Sequence, residues 1–253
     1  MQIKVIAYRI YIGFLRNTPI IKKYYRKRII ERKRNRFKGL SNQEIFSAIY
    51  ENKLWGVDIN QPGDFYSGTG SYSKMAEDYV NLISNFIKKE NIHSITDIGC
   101  GDFSIGRKIV ENNKFLFYLG CDVVPKLIDR NIDLFSSENV KFKCIDASVD
   151  EIPQSDLLTI RQVLQHLNNT DIIKIMLKAK AFKYCIVTEH QLRDNLVRKF
   201  NKDKPTGSDI RIVDYSGVYL DKSPFDLKIT ELGRSREDSP EGEAYIVTYL
   251  INW

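Results

Sequence analysis

The sequence is short of the residues that build metal and disulfide sites. Its 253 residues include four cysteines, Cys100, Cys121, Cys144 and Cys185, with no Cys-x-x-Cys pair, and three histidines with none at metal spacing. That excludes a zinc ribbon and a disulfide framework. All four cysteines fall in or beside apolar strand patterns, so the expectation is reduced core thiols in a cytoplasmic protein that holds no metal. Long apolar runs are missing too, because Arg9 interrupts the stretch from Val5 to Leu15 and Arg16 closes it. The stretch is therefore too short to span a bilayer, and it lacks the small-residue cleavage pattern of a secretory signal. No internal repeat occurs, and nothing marks a second core.

Acidic residues are scarce in one place only. Residues 1–39 hold 13 Lys and Arg against Glu31 alone, whereas the rest carries 26 basic and 31 acidic residues, a net −5 inside an overall +7. Pro19 separates two helical patterns here, since it removes a helix hydrogen bond. In the second, Ile21, Tyr24, Tyr25 and Ile29 form an apolar stripe flanked by Lys22, Lys23, Arg26, Lys27 and Arg28. Residues 1–40 are expected to form a basic amphipathic helical arm, and residues 41–253 one domain. Such an arm either packs on the domain or meets an anionic membrane surface or a partner protein.

The domain opens with a short helix pattern, then Trp55-Gly56 and Ser67-Gly68-Thr69-Gly70-Ser71, a loop suited to folding over an anion or carboxylate. A helix follows with Ser73 as candidate N-cap and Met75, Tyr79, Leu82, Ile83, Phe86 and Ile87 on one face. Strand and helix patterns then alternate. Strands are expected near 94–98, 115–121, 140–145, 157–160 and 184–188, with helices from Ser104, Pro125 and Thr170. Residues 194–225 are polar and loop-rich, and 227–231 and 244–251 read as closing strands. The pattern is α/β, with a mostly parallel sheet covered on both faces.

In Ile95-Thr96-Asp97-Ile98-Gly99-Cys100-Gly101-Asp102, an apolar strand ends in Asp-x-Gly-x-Gly before a helix. The glycines admit close backbone approach to a ligand, as at a nucleotide site. The next glycine, Gly106, is misplaced for a dinucleotide fingerprint. In doubly wound sheets ligands sit across the carboxyl ends of the strands. Asp122 ends the second strand, Asp146-Ala147 the third, and Arg161-Gln162-Val163-Leu164-Gln165-His166-Leu167 follows the fourth.

Together these segments, spanning residues 71–191, resemble the S-adenosylmethionine (SAM) site of class I methyltransferases. The resemblance implies a seven-stranded, Rossmann-like sheet with helices on both faces and the last strand antiparallel. It implies SAM as cofactor and S-adenosyl-L-homocysteine (SAH) as product. Asp97, Gly99, Cys100, Gly101, Asp102 and Phe103 would hold the amino-acid part, and Asp122 with Val123 the ribose. Asp146 and Ala147 would meet the adenine, although Asp146 could equally cap the next turn. Arg161 and Gln162 would lie near the sulfonium, and Trp55, Ser67 and Gly68 of residues 41–72 would cover the cofactor.

The pattern Ile45-Phe46, Ile49-Tyr50, Leu54-Trp55-Gly56 and Ser67-Gly68-x-Gly70-Ser71 is similar to methyltransferases of bacterial capsule and O-antigen polysaccharide clusters, with Thr69 where a Pro is common. This implies O-methylation of a glycan or a related capsule precursor, with phosphate- or phosphoramidate-bearing acceptors included. The arm would then face the inner membrane surface or glycan-assembly proteins. A sugar hydroxyl needs a base at neutral pH. His166, four residues beyond Gln162 and on its face if the segment is helical, ranks ahead of His190, whereas His93 reads as a surface residue. Residues 192–226, an acceptor-side insertion, are expected to supply Tyr215, Tyr219 and Phe225 as pocket aromatics, with Arg161 and Arg211 as candidate anion clamps and Glu189 beside an imidazole. An RNA methyltransferase gripping phosphate through the arm, or a non-catalytic SAM binder, are the alternatives. The acidic domain and the absence of an Asn/Asp-Pro-Pro-aromatic motif speak against nucleic acid.

Overall fold

The computed structural model describes residues 28–32, 34–57, 65–68, 70 and 74–253. The chain divides into two compact units, Met1–Gly39 and Leu40–Trp253. In the first, residues 28–32 and 34–35 are helical and Ile29 is exposed. Pro19 and the stripe from Ile21 to Tyr25 lie outside the described residues, as do Thr69, Ser71 and the expected cap Ser73. Among the described residues no helix is long and apolar enough to cross a membrane.

The second unit begins with α1 (Asn42–Glu51), held by a capping box in which the Ser41 side chain and the Glu44 carboxylate satisfy each other's backbone N–H. Helix α2 (Lys74–Glu90) buries Ala76, Tyr79, Val80, Ile83, Phe86 and Ile87 at helical spacing. Strands and helices then alternate as β1 (Ser94–Ile98), α3 (Ser104–Asn112), β2 (Phe117–Asp122), α4 (Pro125–Phe135), β3 (Val140–Cys144), β4 (Leu157–Arg161), α5 (Asn169–Ala179) and β5 (Tyr184–Leu192). Pro125 opens α4 and Asn168 caps α5 by accepting from Asp171 N. The chain closes with β6 (Lys228–Arg236) and β7 (Ala244–Asn252).

The seven strands lie in the order β3-β2-β1-β4-β5-β7-β6, parallel except for β7, which runs antiparallel to both β5 and β6. Central strands β4 and β5 are buried along almost their whole length because both faces are covered, with Leu157, Leu158, Ile160, Ile186 and Val187 among their apolar residues. Ile83, Ile95, Leu157 and Ile186 are almost wholly buried in one cluster. Burying each such side chain stabilises by about 1.5–3 kcal/mol.

This topology fixes where a ligand can sit. Strands β1 to β5 all end on one edge, and β6 runs parallel to them, so the β6–β7 turn arrives at that same edge. The cysteine expectation needs one correction: Cys100, Cys121 and Cys185 are buried, but Cys144 is exposed at the end of edge strand β3. Burial pushes the Cys121 thiol up to about 12, which keeps it protonated and unreactive.

Candidate active site

The carboxyl edge holds a cavity of about 420 Å³, within the range of small-molecule sites. Its floor is the β1–α3 turn, where Gly99 and Gly101 have φ of 73° and 56°. A Cβ on Gly99 would lie 2.2 Å from Val163 Cγ2, and one on Gly101 would lie 2.4 Å from Ser67 Oγ. Only glycine fits either place, both by conformation and by space.

Ser67 fastens a covering loop to this floor: its N–H donates to Asp102 Oδ2 at 2.9 Å, Asp102 N–H donates to its Oγ at 2.9 Å, and Tyr50 Oη lies 3.0 Å from the same oxygen. Asp102 is thus a loop tie, and it does not line the cavity, contrary to expectation. Phe103 departs in the same way. It starts α3 in a left-handed conformation and sends its ring into the core against Tyr118 and Phe142.

Asp97, Gly99, Cys100, Gly101, Asp122, Val123, Asp146, Ala147, Arg161, Gln162, Trp55, Ser67, Gly68, His166 and His190 all line the one cavity. Asp97 lies deepest, accepting from Tyr118 Oη and, at 2.8 Å, from Thr159 Oγ1. Burial raises its pKa, opposed by those hydroxyls and by Arg161. Asp122 accepts from Gly101 N at 3.1 Å and Val124 N at 3.2 Å, yet burial still pushes its carboxyl up to about 6. Asp146 does cap its own turn, through Ser148 N at 2.9 Å and Ser148 Oγ at 2.7 Å, and it also accepts from Asn42 Nδ2 at 3.2 Å.

The segment after β4 is not the expected helix. Gln162 is left-handed at φ 56°, and only a 3₁₀ turn, Leu164–His166, follows. Gln162 and His166 therefore reach the cavity from a kinked segment and not from one helical face. His166 Nδ1 donates to Gly207 O at 3.2 Å, its ring lies 5.2 Å from that of Trp55, and Lys204 Nζ donates to its own carbonyl at 3.2 Å. Burial and the Lys204 charge push the imidazole down to about 4. His190 Nε2 donates to Glu237 O at 2.8 Å. His93 is exposed and lies away from the cavity.

The expected acceptor residues are corrected. Arg211 is 1% exposed and donates to Leu167 O at 2.7 Å and Lys202 O at 2.9 Å, tying the insertion to the β4–α5 segment. Glu189 accepts from Leu164 N at 2.8 Å and Gln165 N at 3.2 Å, so it caps the 3₁₀ turn and touches no imidazole there. Burial pushes its carboxyl up to about 8 against those donors and the Arg211 charge. Tyr219 Oη donates to Leu192 O at 2.9 Å, and Tyr215 lies under Arg198. None of these four lines the cavity, nor does Phe225. The insertion contributes Ser208 and Ile210 instead, and the β6–β7 tip contributes Glu237, Asp238, Ser239 and Pro240. Asp238-Ser239-Pro240 reads as a turn in the sequence, but its place at the site follows only from the direction of β7.

Neither a protein-family model nor a curated protein matches the sequence. Solved structures do match. Magnesium protoporphyrin IX methyltransferase from Synechocystis PCC 6803, solved with SAM, superposes with a TM-score of 0.52 at 12% identity, over 85% of this chain and 99% of that one. Human N-acetylserotonin methyltransferase, in complex with SAM, gives 0.51 at 11%, over 92% and 68%. The chain has the class I methyltransferase fold. The N-methyltransferase NodS from Bradyrhizobium japonicum WM9, in complex with SAH, shares the methyltransferase fold at a TM-score of 0.50 and 14% identity, over 70% and 87%.

Proposed function

We propose that the chain is a SAM-dependent methyltransferase acting on a hydroxyl of a neutral glycan or related small precursor. The observation that carries the cofactor assignment is the floor of the cavity, where a glycine turn that admits no Cβ stands beside Asp122 on a methyltransferase fold. SAM, when bound, supplies an already activated methyl group. The residues of the chain must then orient the acceptor, keep water out and take one proton.

Two features support a neutral acceptor over a phosphate-bearing one. The β6–β7 lip brings Glu237 to the cavity, and Arg211, one of the two expected anion clamps, is buried elsewhere. The upstream likeness to capsule and O-antigen methyltransferases supports a sugar hydroxyl as the acceptor group.

For the base, the structure supports His190 over His166, reversing the ranking expected from spacing. With Nε2–H given to Glu237 O, a neutral His190 ring keeps Nδ1 as its proton-accepting nitrogen. His166, held near 4 by burial beside Lys204, is a weak base at neutral pH and suits a packing role against Trp55. A screen of nucleotide-linked and free sugars, read by SAM consumption, identifies the acceptor. With it, His190→Ala should lower turnover by about 10² to 10⁴ while SAM still binds. A large loss in His166→Ala with His190→Ala near wild type would return the base to His166.

A further inference from the structure

Arg161 is the one fixed cation among the described residues lining the cavity, against the carboxylates of Asp97, Asp122, Asp146, Glu237 and Asp238. Its guanidinium sits over the Tyr79 ring at 5.1 Å, and its Nη2 donates to Gly70 O at 2.8 Å. Its Nε is buried with no hydrogen-bond partner. The adjacent Gln162 carries a second buried donor without a partner, Nε2. Asp97 takes neither hydrogen; its two oxygens accept from Tyr118 and Thr159 instead. It faces Arg161 only as a charge.

Two unpaired buried donors on neighbouring residues of a cavity wall are costly unless a ligand brings acceptors to them. One of them belongs to a guanidinium, which favours an anionic oxygen pair, and a planar carboxylate can accept from both. SAM carries a single anionic group, its α-carboxylate, and every other charged wall position would repel it. Resting on the reading of this cavity as a SAM site, we propose that Arg161 and Gln162 together bind the α-carboxylate of the methionine moiety. Arg161 supplies the charge, and Asp97 acts behind it as a positioning residue.

The test is calorimetric and needs no acceptor. SAH, decarboxylated SAH and 5′-methylthioadenosine, which lacks the whole amino-acid part, are titrated into the wild-type full chain, Arg161→Met and Gln162→Leu. Wild type should bind SAH about 10- to 100-fold more tightly than decarboxylated SAH, the scale of a charge-assisted pair. Arg161→Met should lose that preference while binding 5′-methylthioadenosine as wild type does, and Gln162→Leu should lose part of it. An undiminished preference in Arg161→Met overturns the proposal, and so does an equal loss for all three ligands, which would mean general damage to the cavity. If wild type binds none of the three, the SAM reading itself fails. If it binds SAH with a preference indifferent to Arg161, only the carboxylate assignment fails.

Discussion

Asp122 lines the cavity, and in the proposed role of accepting from two ribose hydroxyls its protonation sets when it can bind. Its two carboxylate oxygens accept from Gly101 N and Val124 N, and burial has raised its pKa from the ordinary 3.8 to about 6. Removing the carboxylate with Asp122→Ala should weaken SAM binding by roughly 2 to 4 kcal/mol, two charge-assisted bonds partly replaced by water. Affinity in wild type should be flat above pH 6 and fall by up to about tenfold per unit below it, because binding must then expel a proton. Titrations at pH 5 and 7.5 would show this, and Asp122→Ala should abolish the difference. Glu189 gives a stability prediction of defined sign. Its folded pKa, about 8, is raised above the ordinary 4.5, so its contribution is full below 4.5 and is lost as pH rises through 8. His166, lowered to about 4 from 6.5, acts oppositely between those values and is silent above 6.5. From pH 6.5 to 8 the folded protein should therefore lose roughly 1.5 kcal/mol, or some 3 to 6 °C of Tm. Glu189→Gln should flatten that slope in thermal melts, and an equally steep slope in the variant would remove Glu189 as its source.

Among the elements, the 3₁₀ turn after β4 is the junction that carries His166 and joins β5 to the insertion. Glu189 on β5 holds its N–H groups, and Arg211 of the insertion holds Leu167 O just beyond it. Arg211→Met should cost about 2–5 kcal/mol in urea denaturation, since it leaves the carbonyls of Leu167 and Lys202 without their buried donor. An anion clamp would instead leave stability unchanged and raise the KM for acceptor. The alternating elements were legible in the sequence because apolar periodicity and strand-end residues are local: β1, α3, α4, β4 and β7 begin within a residue or two of their expected starts. The floor of the site was legible for the same reason, since Gly99, Gly101 and Asp122 belong to single strand ends. Arg211, Tyr219 and Glu189 were not, because whether a polar side chain in or beside an irregular segment faces a ligand or a neighbouring carbonyl is decided by contacts up to 44 residues away, as between Arg211 and Leu167. The lip formed by Glu237 to Pro240 was invisible for a topological reason. A turn acquires its place at the site only when β7 pairs antiparallel with β5.

On the scale of the whole molecule, the two units carry opposite charge: 13 basic residues against Glu31 in residues 1–39, and a net −5 over the rest. The cavity wall itself is acidic, which complements a cationic cofactor and discourages polyanions. A cationic arm joined to such a domain attracts anionic surfaces through the arm alone. Each Lys or Arg near an anionic lipid surface contributes about 1 kcal/mol, and the attraction decays within a Debye length of roughly 8 Å at physiological salt. Deleting residues 1–39 should therefore leave SAM affinity and the Tm of the remaining domain near those of the full chain. It should abolish binding to vesicles rich in phosphatidylserine, and full-chain binding should weaken steeply between 0.05 and 0.5 M salt, at roughly these ionic strengths. Vesicle cosedimentation of the two forms, with neutral phosphatidylcholine vesicles as control, measures both effects. Equal partitioning of the two forms would show that the arm does not dock to membranes. A loss of SAM affinity on deletion would show that its positive charge serves the site and not location.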